Sequence, residues 1–223
     1  MIIRFFDIFL SCIALIILLP LFLTIVLILK CSGEGEVFYL QERVGAQGNI
    51  FNLIKFATML KNSPNMNLGT VTIKNDPRIL KIGTFLRNSK LNELPQLINI
   101  IFGNMSLIGP RPLTTIAFNS YSLEVQSLLK TTRPGLSGIG SIIFREEEKI
   151  LASVDDPKNF HLTIISSYKG QLEKWYIINK NLFTYFQLIF LTLIVIFFPN
   201  TKLVWKFFKN LPLTPVKLKK HIK

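Results

Sequence analysis

The chain has 223 residues, of which 49% are hydrophobic, and carries a formal net charge of +13. That length suits one ordinary domain plus membrane elements, and basic charge combined with long apolar runs points to an anionic membrane surface rather than nucleic acid. Cys12 and Cys31 lie at opposite ends of one apolar stretch and His161 and His221 are isolated, which excludes a disulfide framework, a zinc spacing and a histidine triad.

Residues Ile8 to Leu29 carry no charge and are long enough to cross a bilayer as a helix. Arg4 precedes the run and Lys30 follows it. The run is too long for a cleaved signal peptide and has no clear small-residue cleavage site. Pro20, in its middle, removes a backbone hydrogen bond and predicts a kink. Two readings follow: a bent transmembrane helix, or a re-entrant helical hairpin with both ends on the cytoplasmic side. Basic residues on both flanks are compatible with the second reading, in which 1–30 is a re-entrant anchor.

Cys31 to Glu36 reads as a flexible turn. Val37–Gln41 and Ile50–Phe56 read as strands of a β-hairpin, with turn residues over Val44–Asn49. Lys61–Asp76 is a polar loop. A helix is expected to start at Ser89, carry Leu94, Leu97, Ile98 and Ile101 on one face, and stop at Gly103-Asn104. Thr114–Lys130 reads as one amphipathic helix. The glycines of Arg133–Gly140 allow backbone to approach a ligand closely, and Phe144–Lys149 opens another helical stretch. Leu182–Phe198 is strongly apolar but short for a span, ending at Pro199; it reads as interfacial, re-entrant or a short crossing. The tail from Lys202 to Lys223 carries seven lysines, suited to anionic headgroups. The fold class is α+β and membrane-associated, divided into an anchor (1–30), a cytosolic domain (31–181) and an apolar segment with a basic tail (182–223).

The densest chemistry lies in Arg87-Asn88-Ser89-Lys90-Leu91-Asn92-Glu93-Leu94-Pro95-Gln96-Leu97 and in Met105-Ser106-Leu107-Ile108-Gly109-Pro110-Arg111-Pro112. An arginine held between two prolines has a fixed approach direction, which suits a bidentate grip on phosphate. With these go Phe38-x-x-Gln41-x-Arg43-Val44-Gly45, Lys55-Phe56-x-Thr58-Met59, Asn75-Asp76-Pro77-Arg78, Ile82-Gly83-x-Phe85-Leu86-Arg87 and Arg133-Pro134-Gly135-Leu136-Ser137-Gly138. In order and spacing, over roughly Phe5 to Phe186, the series resembles the bacterial sugar transferases, small monotopic polyprenyl-phosphate phosphoglycosyl transferases.

The resemblance implies transfer of a sugar-1-phosphate from a UDP-sugar to polyprenyl (undecaprenyl) phosphate, with release of UMP, Mg2+ as cofactor and a ping-pong route through an aspartate. It implies initiation of a surface polysaccharide or glycoconjugate at the cytoplasmic face of the bacterial inner membrane, with membrane lipid and no nucleic acid as partner. Arg87, Arg111 and Arg145 match arginines of the family pattern; Lys55 is a fourth candidate for phosphate or nucleotide-sugar binding. Glu93 matches the metal-binding and acid–base carboxylate.

Asn92 departs from that pattern, since the resemblance places the nucleophilic aspartate there. An amide has no anionic oxygen to attack phosphorus. Four accounts stand: Glu93 is the nucleophile, with metal binding taken by Glu146 or Glu147; the lipid phosphate attacks directly while Asn92 orients an oxygen; Asn92 deamidates; or the chain is a silent homologue that binds carrier or nucleotide sugar. Ala57 and the stretch Ile139-Gly140-Ser141-Ile142-Ile143-Phe144-Arg145 also depart from the usual pattern. The sequence favours an active enzyme using Glu93.

Overall fold

The computed structural model describes residues 1–63, 76–198 and 201–222. Most of the expected 61–76 loop, with Asn75 of its motif, and Pro199 lie outside the described residues. The chain forms two compact units, one of Phe6–Glu42 with Asn52–Gly103, the other of Met1–Phe5, Arg43–Phe51 and Asn104–Lys223.

The first unit begins with α1 (Ile2–Lys30), most of which lies in it. This helix is unbroken through Pro20. Pro20 has no N–H to give the Ile16 carbonyl, while the Thr24 hydroxyl donates to the Pro20 carbonyl at 2.9 Å. At about 1.5 Å per residue the helix is about 43 Å long, and it is long and apolar enough to cross a membrane. Ile16, Ile17, Leu23 and Leu27 are exposed along it. Its last turns are different. Ile25 and Leu29 are buried with Phe56 and Leu86, and Phe22, Val26, Val37, Ile82, Leu91 and Leu94 pack around them. Phe22, Phe38 and Phe56 are in mutual ring contact at 4.9–6.2 Å, each such pair adding about 0.5–1.5 kcal/mol to area burial.

The expected hairpin is present as β1 (Phe38–Val44) and β2 (Ile50–Phe56), joined by a short turn over Ala46–Gly48 in which Gln47 and Gly48 have positive φ. After β2 the chain meets α2 (Lys81–Asn88) at close range. Leu80 N–H donates to the Thr58 carbonyl, and a Cβ on Gly83 would lie 2.2 Å from that same oxygen, so only glycine lets the helix seat there. Asp76 and Arg78, both about 4% exposed, form a bidentate pair (2.9 and 2.6 Å), and Arg78 Nη1 also donates to the Ser63 carbonyl. Ser89 does not start a helix. Its hydroxyl turns back to the Phe85 and Leu86 carbonyls, making it the C-terminal cap of α2. A single 3-10 turn, Leu91–Glu93, separates α2 from α3 (Gln96–Phe102), which ends at Gly103 as expected. Buried Asn99 of α3 stands in for a neighbouring strand: its Oδ1 accepts from Ile54 N–H and its Nδ2 donates to the Asn52 carbonyl.

In the second unit the two glycine-proline motifs pair. Strands β3 (Ser106–Ile108) and β4 (Gly135–Ser137) form a parallel ladder with Ser106 opposite Gly135 and Ile108 opposite Ser137. Between them lie α4 (Thr115–Asn119) and α5 (Leu123–Lys130), two helices where one was expected. Each has its own N-cap, Thr114 and Ser122, whose hydroxyls accept from Ala117 and Val125 N–H. Then follow α6 (Ile139–Ile143), α7 (Glu147–Leu151) and α8 (Pro157–Phe160). One π-turn, His161–Ile165, leads into α9 (Ser166–Ile178). Helix α10 (Leu182–Phe197) buries Tyr185, Leu188, Leu191 and Val195, and Ser137 and Thr192 hydroxyls meet at 2.8 Å. Its other side exposes Phe183, Phe190, Leu193 and Phe197. The unit closes with α11 (Leu203–Phe207) and α12 (Val216–Ile222).

Candidate functional site

In the first unit, Arg87 ends α2 and Asn92 and Glu93 occupy the next turn. Between them Lys90 takes a left-handed backbone (φ 62°, ψ 11°), which for a residue with a Cβ costs about 1–3 kcal/mol. The reversal sends Leu91 and Leu94 into the apolar cluster under α1 and leaves Asn92 and Glu93 half-buried. Asn92 Oδ1 is shut off from solvent and has no hydrogen-bond partner. An orphaned acceptor of this kind costs about 1–3 kcal/mol. Dry, and next in sequence to a carboxylate, it suits a cation. Lys55, near the end of β2, is half-buried and donates through Nζ to Gln41 Oε1 at 3.4 Å, so two motif residues meet there.

Arg111 and Arg145 belong to the second unit. Arg111 follows β3 in a loop fixed on its main chain: Gly109 N–H donates to the Ser137 carbonyl and Gly135 N–H to the Pro110 carbonyl. The strands approach so closely that a Cβ on Gly135 would lie 2.1 Å from the Gly109 nitrogen. The Arg111 side chain is exposed, and the residue lines a shallow open depression together with Val44, Leu113, Phe118 and Leu129.

Behind this loop lies a cluster the sequence reading missed. Lys169 and Glu173 are one turn apart on α9, and both turn inward. Lys169 Nζ pairs with Glu147 Oε2 at 2.6 Å and sits 5.1 Å from the centre of the Phe144 ring. His161 Nε2 lies 3.2 Å from the other Glu147 oxygen, so His161 is not isolated. Burial pushes the Glu147 carboxyl up, but His161 and Lys169 outweigh it and hold it at about 2. Burial lowers Lys169, partly offset by Glu147. Tyr121 is pushed up by burial, then by the charges of Glu173 and Glu147. Glu146 pairs with Lys149. Neither carboxylate proposed as a substitute metal ligand is thus without a cation partner, and among the described residues no group of three or more His, Cys, Asp or Glu side chains is placed to hold a metal.

Glu173 is 6% exposed. Burial pushes its carboxyl up to about 7, against the Arg111 backbone N–H and the charges of Lys169 and Arg111, which pull it down. The ordinary value is 4.5. Between these values the folded chain keeps a proton the unfolded chain has lost, so stability falls as pH rises through that window, by about 3 kcal/mol in all. We expect Glu173→Gln and the parent to have equal urea midpoints near pH 4.5, with the variant more stable at pH 8 by up to that amount; a gap that narrows as pH rises contradicts this. The missed signal was the spacing of Lys169, Leu172, Glu173 and Tyr176, which puts charge on the same face as apolar residues.

The bacterial sugar transferase family model matches residues 1–199. The chain belongs to the bacterial sugar transferase family. Among similar proteins, the exopolysaccharide production protein ExoY of Sinorhizobium fredii is 36% identical over 158 residues, covering 65% of this chain and 70% of that protein. An uncharacterized sugar transferase of Haemophilus influenzae is 32% identical over 207 residues, 86% of this chain and 40% of its own length. The UDP-glucose:undecaprenyl-phosphate glucose-1-phosphate transferase of Escherichia coli is 34% identical over 165 residues, 73% of this chain and 35% of that enzyme. This bacterial sugar transferase therefore spans most of one relative and about a third of another.

Proposed function

We propose that the protein transfers a sugar-1-phosphate from a UDP-sugar to a polyprenyl phosphate, at the cytoplasmic face of a bacterial inner membrane. The observation that carries this reading is the Leu91–Glu93 turn, where Glu93 follows in sequence a residue whose amide oxygen is orphaned and dry. Family membership and the names of the relatives supply the reaction class.

Glu93 attacks the sugar-side phosphorus of the donor, and the bond from that phosphorus to the bridging oxygen breaks as UMP leaves. The phosphosugar is then held as an acyl phosphate on Glu93. The polyprenyl phosphate oxygen attacks next and frees the carboxylate, giving the lipid diphosphate sugar. Arg87 and Lys55 in the first unit, and Arg111 and Arg145 in the second, are the candidates for supplying positive charge to phosphate oxygens. Asn92 Oδ1 and a Glu93 oxygen fit a magnesium ion, which takes one or two protein oxygens and fills its shell from phosphates and water. When bound, the ion would neutralise phosphate charge.

The exposed apolar faces of α1 and α10 and the basic tail support the reading that the protein works at headgroup level, where the carrier phosphate lies and no charge is dragged into hydrocarbon. α1 is read as the re-entrant anchor, bent at Pro20. A cysteine-labelling scan that puts residue 1 on the periplasmic side would refute that topology.

The reaction is tested by incubating full-length protein with a panel of UDP-sugars, Mg2+ and undecaprenyl phosphate. UMP release that depends on Glu93 supports it; silence across the panel favours a binding protein. Asn92→Asp is expected to keep or raise activity, and to show a larger Mg2+-dependent rise in thermal midpoint than the parent, because it turns an amide ligand into a carboxylate. Complete loss of activity would show that the amide has a role of its own.

A further inference from the structure

We propose that Glu173 is the positioning residue of Arg111: its carboxyl holds the main-chain N–H between Pro110 and Pro112 and so fixes the direction in which the guanidinium leaves the loop. The proposal rests on the phosphate-binding role given to Arg111 above. In Pro110-Arg111-Pro112 the two prolines have no N–H, so Arg111 carries the one donor of that tripeptide. That donor is hydrogen-bonded to Glu173, whose other oxygen, Oε2, is buried with no hydrogen-bond partner.

The carboxyl has little freedom to swing away. It lies against Gly140, where an added Cβ would stand 2.6 Å from Oε1. One turn further along α9, the Tyr176 hydroxyl donates to the Ile108 carbonyl at 3.0 Å. The two contacts, three residues apart on one helix face, grip the Ile108–Arg111 segment in addition to its pairing with β4. Main chain is thus fixed by both α9 and β4 while the Arg111 side chain stays exposed. A buried carboxyl is a costly way to fill a core position. Glu173 is explained by what it holds.

The test uses the full-length protein in detergent with selectively 15N-labelled arginine. Glu173→Met keeps the side-chain length and removes the acceptor; Arg111 amide exchange should quicken at least tenfold, with UDP affinity falling by a similar factor. Glu173→Gln keeps an acceptor oxygen and should bring both within about threefold of the parent. In an Arg111→Ala background, Glu173→Met should weaken UDP binding no further, because its effect passes through that arginine.

Unchanged Arg111 exchange in Glu173→Met overturns the proposal, and so do additive losses in the double variant. If Glu173→Met does not fold, Gly140→Ala displaces the same carboxyl and should speed Arg111 exchange; full protection there also overturns it. Should the parent protein fail to bind UDP, the functional reading falls, while the exchange measurement still decides the role of Glu173.

Discussion

Glu93→Gln is expected to abolish UMP release, lowering turnover by about 10²–10⁴-fold while leaving the thermal midpoint within a few degrees of the parent. The side chain is half-buried on a turn whose packing comes from Leu91 and Leu94, so its charge contributes little to the fold. On the proposed route its loss removes the attacking oxygen outright: glutamine fills the same space but offers phosphorus only an amide. Mixing donor alone with the parent protein should trap the phosphosugar on Glu93, readable by peptide mass. An adduct at position 92 instead would show that an aspartate formed there by deamidation is the true nucleophile. Activity within tenfold of the parent would favour direct attack by the lipid phosphate.

Gly135→Ala should cost about 4 kcal/mol, a penalty at the upper end for a single methyl group. The new Cβ would stand 2.1 Å from the Gly109 nitrogen and 2.4 Å from the Ser137 carbonyl oxygen. Both obstacles are backbone, and no side-chain rotation relieves them. The strands must part, and the hydrogen bonds from Gly135 to Pro110 and from Gly109 to Ser137 go with them. A fall in thermal midpoint of about 10 °C would match this cost for a chain of this size. A fall below about 2 °C would mean that the parallel ladder is not a fixed part of the fold.

Local signals carried most of what the sequence made legible. The hairpin was readable from its turn residues, the end of α3 from Gly103, and α10 from its apolar run. Ser89 misled because a hydroxyl at a helix boundary serves either end; here it bonds backward to carbonyls rather than forward to N–H groups. Ser122 was a usable stop-and-start signal inside Thr114–Lys130 that amphipathic spacing obscured. The pairing of β3 with β4 was not legible, because parallel strands meet across an intervening crossover and no local pattern records the partner. At the candidate site, Arg87, Arg111, Arg145, Lys55, Asn92 and Glu93 came from motif register. Glu173 did not, since a charged residue in a helix reads by default as solvent-facing.

The contact between Glu173 and Arg111 also orders events in time. Ribosomes add about 5–20 residues per second, so the carboxyl that holds Arg111 leaves the peptidyl-transferase centre roughly 3–12 s after the arginine does. Through that interval the guanidinium has charge but no direction. The Leu91–Glu93 turn has no such wait, since the apolar partners of Leu91 and Leu94 all precede residue 95. On the role proposed for Glu173, a ribosome stalled between residues 111 and 173 would carry Arg111 without the carboxyl that aligns it, and alignment would arrive only with the synthesis of α9.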